Sequence, residues 1–163
     1  MPKTLALVAS GLLAVCALPL QAAGTVEVSY IEPEKFTDIG FGTVDRERVL
    51  SDMSEVLKAL GAQLPDGQTL KLEITNINLA GELRPGAGRD LRIITGRTDW
   101  PEVSLRYTLR AGNNTLKSGE AKVYDLAYFE RVNFINRVGT NLPFERHMLR
   151  KWFAATFLPE SQP

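Results

Sequence analysis

Apolar residues alternate with polar ones at Val26, Val28 and Tyr30, the two-residue period of a half-buried strand over residues 25–31. Pro33, Gly40 and Gly42 then break the pattern, which predicts a long ordered loop over residues 32–42. From Asp45 the spacing lengthens to Val49, Met53, Val56, Leu57, Leu60 and Leu64, one apolar stripe along a helix. Asp45 is positioned to accept first-turn amide hydrogens and Val44 to pack on Val49 as a hydrophobic staple; Gly61 and Pro65-Asp66-Gly67 end the helix.

Leu70, Leu72 and Ile74 share one face of a second strand, but the apolar set then moves to Ile77 and Leu79. That one-residue slip predicts a bulge near Thr75-Asn76, or a strand that becomes buried on both faces. Arg84-Pro85-Gly86-Ala87-Gly88-Arg89 reads as an exposed loop, and residues 91–94 as a brief edge pairing before Asp99-Trp100-Pro101 turns the chain. Val103, Leu105, Tyr107 and Leu109 open a hairpin whose turn is at 111–114 and whose return runs over 116–124, with Gly119 as the expected bulge residue. Leu126, Phe129 and Val132 suggest one or two helical turns, and residues 133–141 a polar connection. A second helix has Asn141 near its cap, Pro143 in its first turn and Met148, Leu149, Trp152, Phe153 and Phe157 on one face, with Pro159 stopping it. The expected fold is α+β: a single domain, a four- or five-stranded mostly antiparallel sheet with two amphipathic helices packed on one face, the first helix forming a crossover between parallel neighbours.

With 163 residues, 44% hydrophobic, 23% charged and a formal net charge of zero, the chain has the composition of one globular domain and excludes a transmembrane bundle or a disordered chain. Its first residues are set apart. Lys3 and the amino terminus are followed by an uncharged run from Leu5 to Leu20 and by the small residues Ala22, Ala23 and Gly24. This predicts a secretory signal peptide over residues 1–22, cut after Ala22, with a domain over 23–163 and a periplasmic or secreted bacterial location. Leu13-Ala14-Val15-Cys16 loosely resembles a lipobox, but Val15 stands where that pattern has Gly, Ala or Ser. Cleavage after Ala22 removes the single Cys, so the domain is expected to use no disulfide and no thiol chemistry.

The placed segments resemble a family of small secreted bacterial proteins known as domain of unknown function 3016. The likeness rests on residues Pro33 to Gly40, Asp66-Gly67-Gln68 and Leu79-Ala80-Gly81-Glu82. It continues through Asp99-Trp100-Pro101, Leu105-Arg106-Tyr107, Ser118-Gly119-Glu120, Phe144-Glu145-Arg146, Met148-Leu149 and Trp152-Phe153. The resemblance implies export and a single domain, and no particular reaction. The element order also looks like that of small periplasmic domains accompanying envelope assembly machines, an analogy of fold alone.

No candidate for catalysis is complete. His147, the only histidine, has no Cys to join it and no evident nucleophile, and is expected at the surface. Glu32, Glu34 and Asp38 hold enough carboxylates for a hydrolase, but in a Pro-containing loop they read first as solvated charges. Gly86-Ala87-Gly88 lacks the Lys-Ser/Thr and following helix of a phosphate loop, and Ser104 and Ser118 lie in strands without a nucleophile elbow. Trp100 is a candidate binding aromatic, whereas helical spacing puts Trp152 and Phe153 in the core. No cofactor and no metal are expected.

Charge carries more. Residues 23–82 hold 11 acidic and 5 basic side chains, a net −6, and residues 83–163 hold 8 and 13, a net +5. Arg84, Arg89, Arg92 and Arg97 accompany only Asp90 across a Gly-Pro loop, which marks them as the candidate surface for an anionic partner. The competing reading has them bracing the acidic first helix. A nearly neutral exported chain is a poor match for nucleic acid. The expectation is a non-enzymatic envelope module that binds another protein or an anionic wall or membrane component, with a hydrolase using the acidic loop from Glu32 to Asp38 as the alternative.

Overall fold

A computed structural model describes residues 23–86, 91–131 and 141–158. Four strands form the main sheet in the order β1-β2-β5-β6: β1 Thr25–Tyr30, β2 Gln68–Asn78, β5 Glu102–Ala111 and β6 Asn114–Tyr124. The first pair is parallel and the others antiparallel. A short hairpin of β3 Glu82–Arg84 and β4 Leu91–Ile93 makes a separate two-stranded sheet, so the brief pairing expected of residues 91–94 is with β3 rather than with the main sheet. Helix α1, Thr43–Leu60, joins β1 to β2, and helix α2, Pro143–Phe157, ends the described chain.

Both helices cover one face of this α+β domain. Met53, Val56, Leu57 and Leu60 of α1 and Met148, Leu149 and Phe153 of α2 are buried in one cluster with Leu70, Leu72, Ile74, Val103 and Leu105. Burying such side chains supplies most of a small domain's stability, at about 1.5–3 kcal/mol each. The register of β2 shifts at Thr75, between Ile74 and Asn76, and the shift keeps Ile77 in the same core as Leu72 and Ile74.

Several local expectations are corrected. The N-cap of α1 is Gly42, Asp45 makes no side-chain cap, and Val44 is 68% exposed rather than stapled to Val49. The irregularity between β5 and β6 lies between Leu109 and Arg110, not at Gly119. Gly119 pairs with Tyr107, and a Cβ there would stand 2.8 Å from the Tyr107 hydroxyl, so the glycine makes room for a ring. The turn after β6 is a single 3-10 turn, Tyr128–Arg131, which buries Tyr128 and leaves Leu126 and Phe129 exposed. Asn141 lies near the cap of α2 as expected, one residue before the N-cap Leu142, and donates to the Asp52 carboxylate of α1 at 3.0 Å. Phe153 is fully buried, but Trp152 is only partly so, edge-on to Tyr107 and Phe157 at 6.1 and 5.3 Å. Val132, residues 133–140 and Pro159 lie outside the described residues, as does the segment 1–22 with Cys16.

Candidate functional site

The loop after β1 is pinned to β2 at successive residues. Thr37 donates its backbone N–H to Asn76 Oδ1 at 2.8 Å, Asp38 N–H donates to the Ile77 carbonyl at 3.0 Å, and the Asp38 carbonyl accepts from Leu79 N–H at 3.2 Å. Phe36 and Ile39 are buried, so the segment turns apolar side chains inward and polar ones outward. Opposite stand Gly81 and the start of β3. Gly81 has φ +85°, and a Cβ there would meet the Ile93 carbonyl at 2.7 Å, so only glycine fits where the hairpin leaves the sheet. Between the two walls lies an open cleft of about 570 Å³, with Asn78, Thr98 and Asp99 also lining it and Arg46 reaching in from α1.

The hairpin is tied to the loop by one side chain. Arg92 clasps Asp38 bidentately at 2.8 and 3.0 Å, and its Nη1 also donates to the carbonyls of Gly81 at 3.1 Å and Ala80 at 3.4 Å. None of the six strand residues of the hairpin is buried, and among the described residues Arg92 carries its side-chain hydrogen bonds to the rest of the domain.

Behind the cleft, the Ala80 N–H donates to Glu145 Oε1 at 2.8 Å. Glu145 sits in the first turn of α2 and is 2% exposed. Burial pushes its carboxyl above the usual range, and Asp38 adds to this; the N–H groups of Ala80 and of Glu145 itself, and the Arg92 charge, work the other way.

Asp99 closes the neighbouring turn. It accepts the Tyr128 hydroxyl at 2.6 Å and the backbone N–H groups of Thr95 and Arg97 at 2.7 and 2.9 Å. Burial alone would raise its carboxyl, but these donors outweigh it and hold the group at about 2. Tyr128 shifts the opposite way: burial and the Asp99 carboxylate keep its hydroxyl protonated well above the ordinary tyrosine range. Its ring packs edge-on to Phe144 at 5.2 Å in a second small core with Ala80, and Trp100 packs against that core.

The arginines singled out from the sequence are placed differently from one another. Arg92 is held as described, with a quarter of its side chain exposed. Arg84 pairs with the exposed Glu82 at 3.0 Å, while Arg97 is exposed and, among the described residues, engaged only through its backbone. Arg89 and the Ala87-Gly88 part of the glycine loop lie outside the described residues. In the acidic loop, Glu32 pairs with Lys35, Asp38 with Arg92, and Glu34 is exposed with no ion pair among the described residues. His147 is exposed on α2. Ser104 and Ser118 lie on the open face of the sheet, opposite Lys122 and Thr108. Sequence reasoning had not chosen Glu145, Asp99 or Tyr128 as site residues. The first two lie in segments that carried the family resemblance; nothing in the sequence marked Tyr128.

Four of the segments behind that resemblance, at 33–40, 79–82, 99–101 and 144–146, therefore meet around one cleft and one polar network. The arrangement defines a single α+β domain with a preformed polar cleft beside a lightly attached hairpin. The chain matches the family described as protein of unknown function (DUF3016) over residues 24–155, and it belongs to that family. Neither a curated protein nor a solved structure matches it. No helix among the described residues is long and apolar enough to cross a membrane.

Proposed function

We propose that the protein is an exported envelope module that binds a partner rather than transforming a substrate, acting in the periplasm or outside the cell after removal of residues 1–22. The observation that carries this reading is the way the two shielded carboxylates of the four that line the cleft, Asp38 and Asp99, are engaged, while the other two, Glu34 and Glu82, are exposed. Both Asp38 oxygens face the Arg92 fork, and Asp99 is saturated by three donors. A general base or nucleophile needs an available lone pair and a pKa near the working pH. Glu145, the described carboxyl held above the usual range, is sealed behind Ala80 instead of facing the cleft. Such groups act as rivets that fix a binding surface.

The anionic-partner surface of this reading comprises Arg84, Arg89, Arg92 and Arg97, with Arg92 anchoring the hairpin whose first strand carries Arg84. Crosslinking in the native envelope followed by capture tests the reading. A protein or anionic component recovered with the wild type and lost with an Arg84→Glu, Arg97→Glu variant supports it. Hydrolysis of a wall or ester substrate by the pure protein, abolished by Asp38→Asn without unfolding, overturns it in favour of the acidic-loop hydrolase.

A further inference from the structure

The cleft contains two opposite charges that the fold leaves unmatched. Glu34 lines it from the single 3-10 turn Pro33–Lys35 and has no hydrogen bond or ion pair among the described residues. Arg46 lines it from the first turn of α1. Among the described residues the five N–H donors of its guanidinium form one bond, from Nη2 to the Phe41 carbonyl at 3.1 Å, and Nε is sealed from water without an acceptor. An under-satisfied guanidinium gains more from an incoming carboxylate than a solvated one does, because less hydration is lost on binding.

Glu34 and Arg46 line the cleft and an apolar recess beside it, yet they do not pair with each other. A cation and an anion that line one cleft without pairing are complementary to a ligand that carries both charges. The rest of the lining fits a compact amide-bearing molecule. Asn78 and Thr98 offer donors and acceptors, and Leu83 with the 59%-exposed Phe41 offers apolar contact. The volume of about 570 Å³ lies within the range of small-ligand sites. Because Thr37, Asp38 and Gly81 are already locked by hydrogen bonds and glycine geometry, little ordering cost is left to binding.

We infer that this cleft binds a zwitterionic amino compound, a short peptide with free ends, its ammonium facing Glu34 and its carboxylate facing Arg46. The site adjoins the arginine surface through Asp38 and Glu82, and the Arg84→Glu, Arg97→Glu variant, which leaves Glu34 and Arg46 in place, separates a partner bound there from a ligand bound here. Calorimetric titration of the purified protein with Ala-Ala-Ala, Ala-Phe-Ala and Ala-Glu-Lys, each also in N-acetylated and C-amidated form, measures the preference. Amide chemical shifts locate the site.

Saturable binding of at least one free-ended peptide is expected, with shifts at Glu34, Phe41, Asn78 and Thr98 and a loss of about tenfold when either end is blocked, the scale of one charge-assisted hydrogen bond. Glu34→Gln should abolish discrimination against the acetylated peptide only, and Arg46→Gln discrimination against the amidated one only. Arg46→Lys, which keeps the charge, should retain part of the affinity and guards against misfolding of the Gln variant. No saturable binding of any free-ended peptide at millimolar concentration, equal affinity for blocked ends, or folded variants that bind as the wild type would each overturn the assignment.

Discussion

Replacing Tyr128 by Phe removes one oxygen and leaves the ring in its contact with Phe144. That oxygen donates to Asp99 at 2.6 Å and accepts the Gly96 N–H at 3.2 Å, so its loss withdraws a charge-assisted bond and strands a backbone donor. Two routes give the size of the effect. A hydrogen bond to a charged group contributes roughly 1.5–3 kcal/mol. A second route gives the same scale: the Asp99 carboxyl is held at about 2 against an ordinary value of 3.8, and at about 1.4 kcal/mol per pH unit the ionised group with its donors, net of the burial that opposes them, stabilises the fold by roughly 2–3 kcal/mol at neutral pH. Tyr128→Phe should therefore cost about 1–2 kcal/mol, a fall in Tm of about 3–8 °C for a domain of this size.

The sign of the pH dependence is fixed by the depressed pKa. The contribution of Asp99 is fully present above 3.8 and is lost as pH falls through about 2. In the variant the Asp99 pKa moves back towards its ordinary value, so part of the acid loss disappears and the Tm gap between the two proteins narrows as pH drops from 5 to 2. Thermal unfolding followed by circular dichroism at half-unit intervals measures both quantities. Equal Tm values at pH 7, or a gap constant down to pH 2, would refute the assignment of Tyr128 as the group that holds Asp99 ionised.

Phe153→Ala should cost about 3–5 kcal/mol in chemical denaturation, as for other buried aromatics, and the half-buried Trp152→Ala clearly less; the reverse order would mean that the C-terminal helix is packed differently. Glu145→Gln keeps an acceptor for the Ala80 N–H while removing a buried ionisable group. Because the folded pKa is raised, the wild type should lose stability as pH rises above 4.5 towards that pKa, and the Gln variant should lack this loss, as pH-dependent denaturant midpoints would show. Intact mass of protein recovered from a bacterial periplasm should correspond to cleavage after Ala22; an unprocessed or diacylated chain would contradict that reading.

The periodic elements were legible because burial on one face writes its period into the sequence. The stripe from Val49 to Leu60 and the slip from Ile74 to Ile77 both reappear, the second as a register shift at Thr75. Misreadings came where a single contact decides. Gly119 reads as a bulge residue until Tyr107 is seen above it, and Val44 reads as a staple unless the N-cap is known to be Gly42. The cleft was hardly legible at all. Its network joins Asp38 to Arg92 across 54 residues, Ala80 to Glu145 across 65 and Asp99 to Tyr128 across 29, and no local pattern encodes such pairings. In the sequence Asp38 stands out for its loop and Arg92 for its neighbours, but their mutual engagement appears only in three dimensions.

That engagement sharpens what the arginines can be asked. The sequence is acidic in its first half and basic in its second, and one simple outcome would be wholesale pairing of the arginines with α1. Among the described residues none of Arg84, Arg92 and Arg97 contacts an acid of α1; the long-range pair that joins the halves is Arg92 with Asp38, in the loop before it. The exposed Arg97 is thus left to act outward, where a charge steers encounter more than it adds affinity. Reversal at two kinds of site should therefore give two different outcomes. Arg92→Glu places a like charge against Asp38 and removes donors from two carbonyls, so it should lower Tm by several degrees. The double variant Arg84→Glu, Arg97→Glu alters exposed groups, and surface changes of that kind shift stability by no more than about 0.5 kcal/mol per site. Tm should hardly move, while association with an anionic partner slows and loses its salt dependence. If the double variant melts early, the exposed arginines brace the fold after all; if it is stable and associates at the wild-type rate, the anionic surface lies elsewhere.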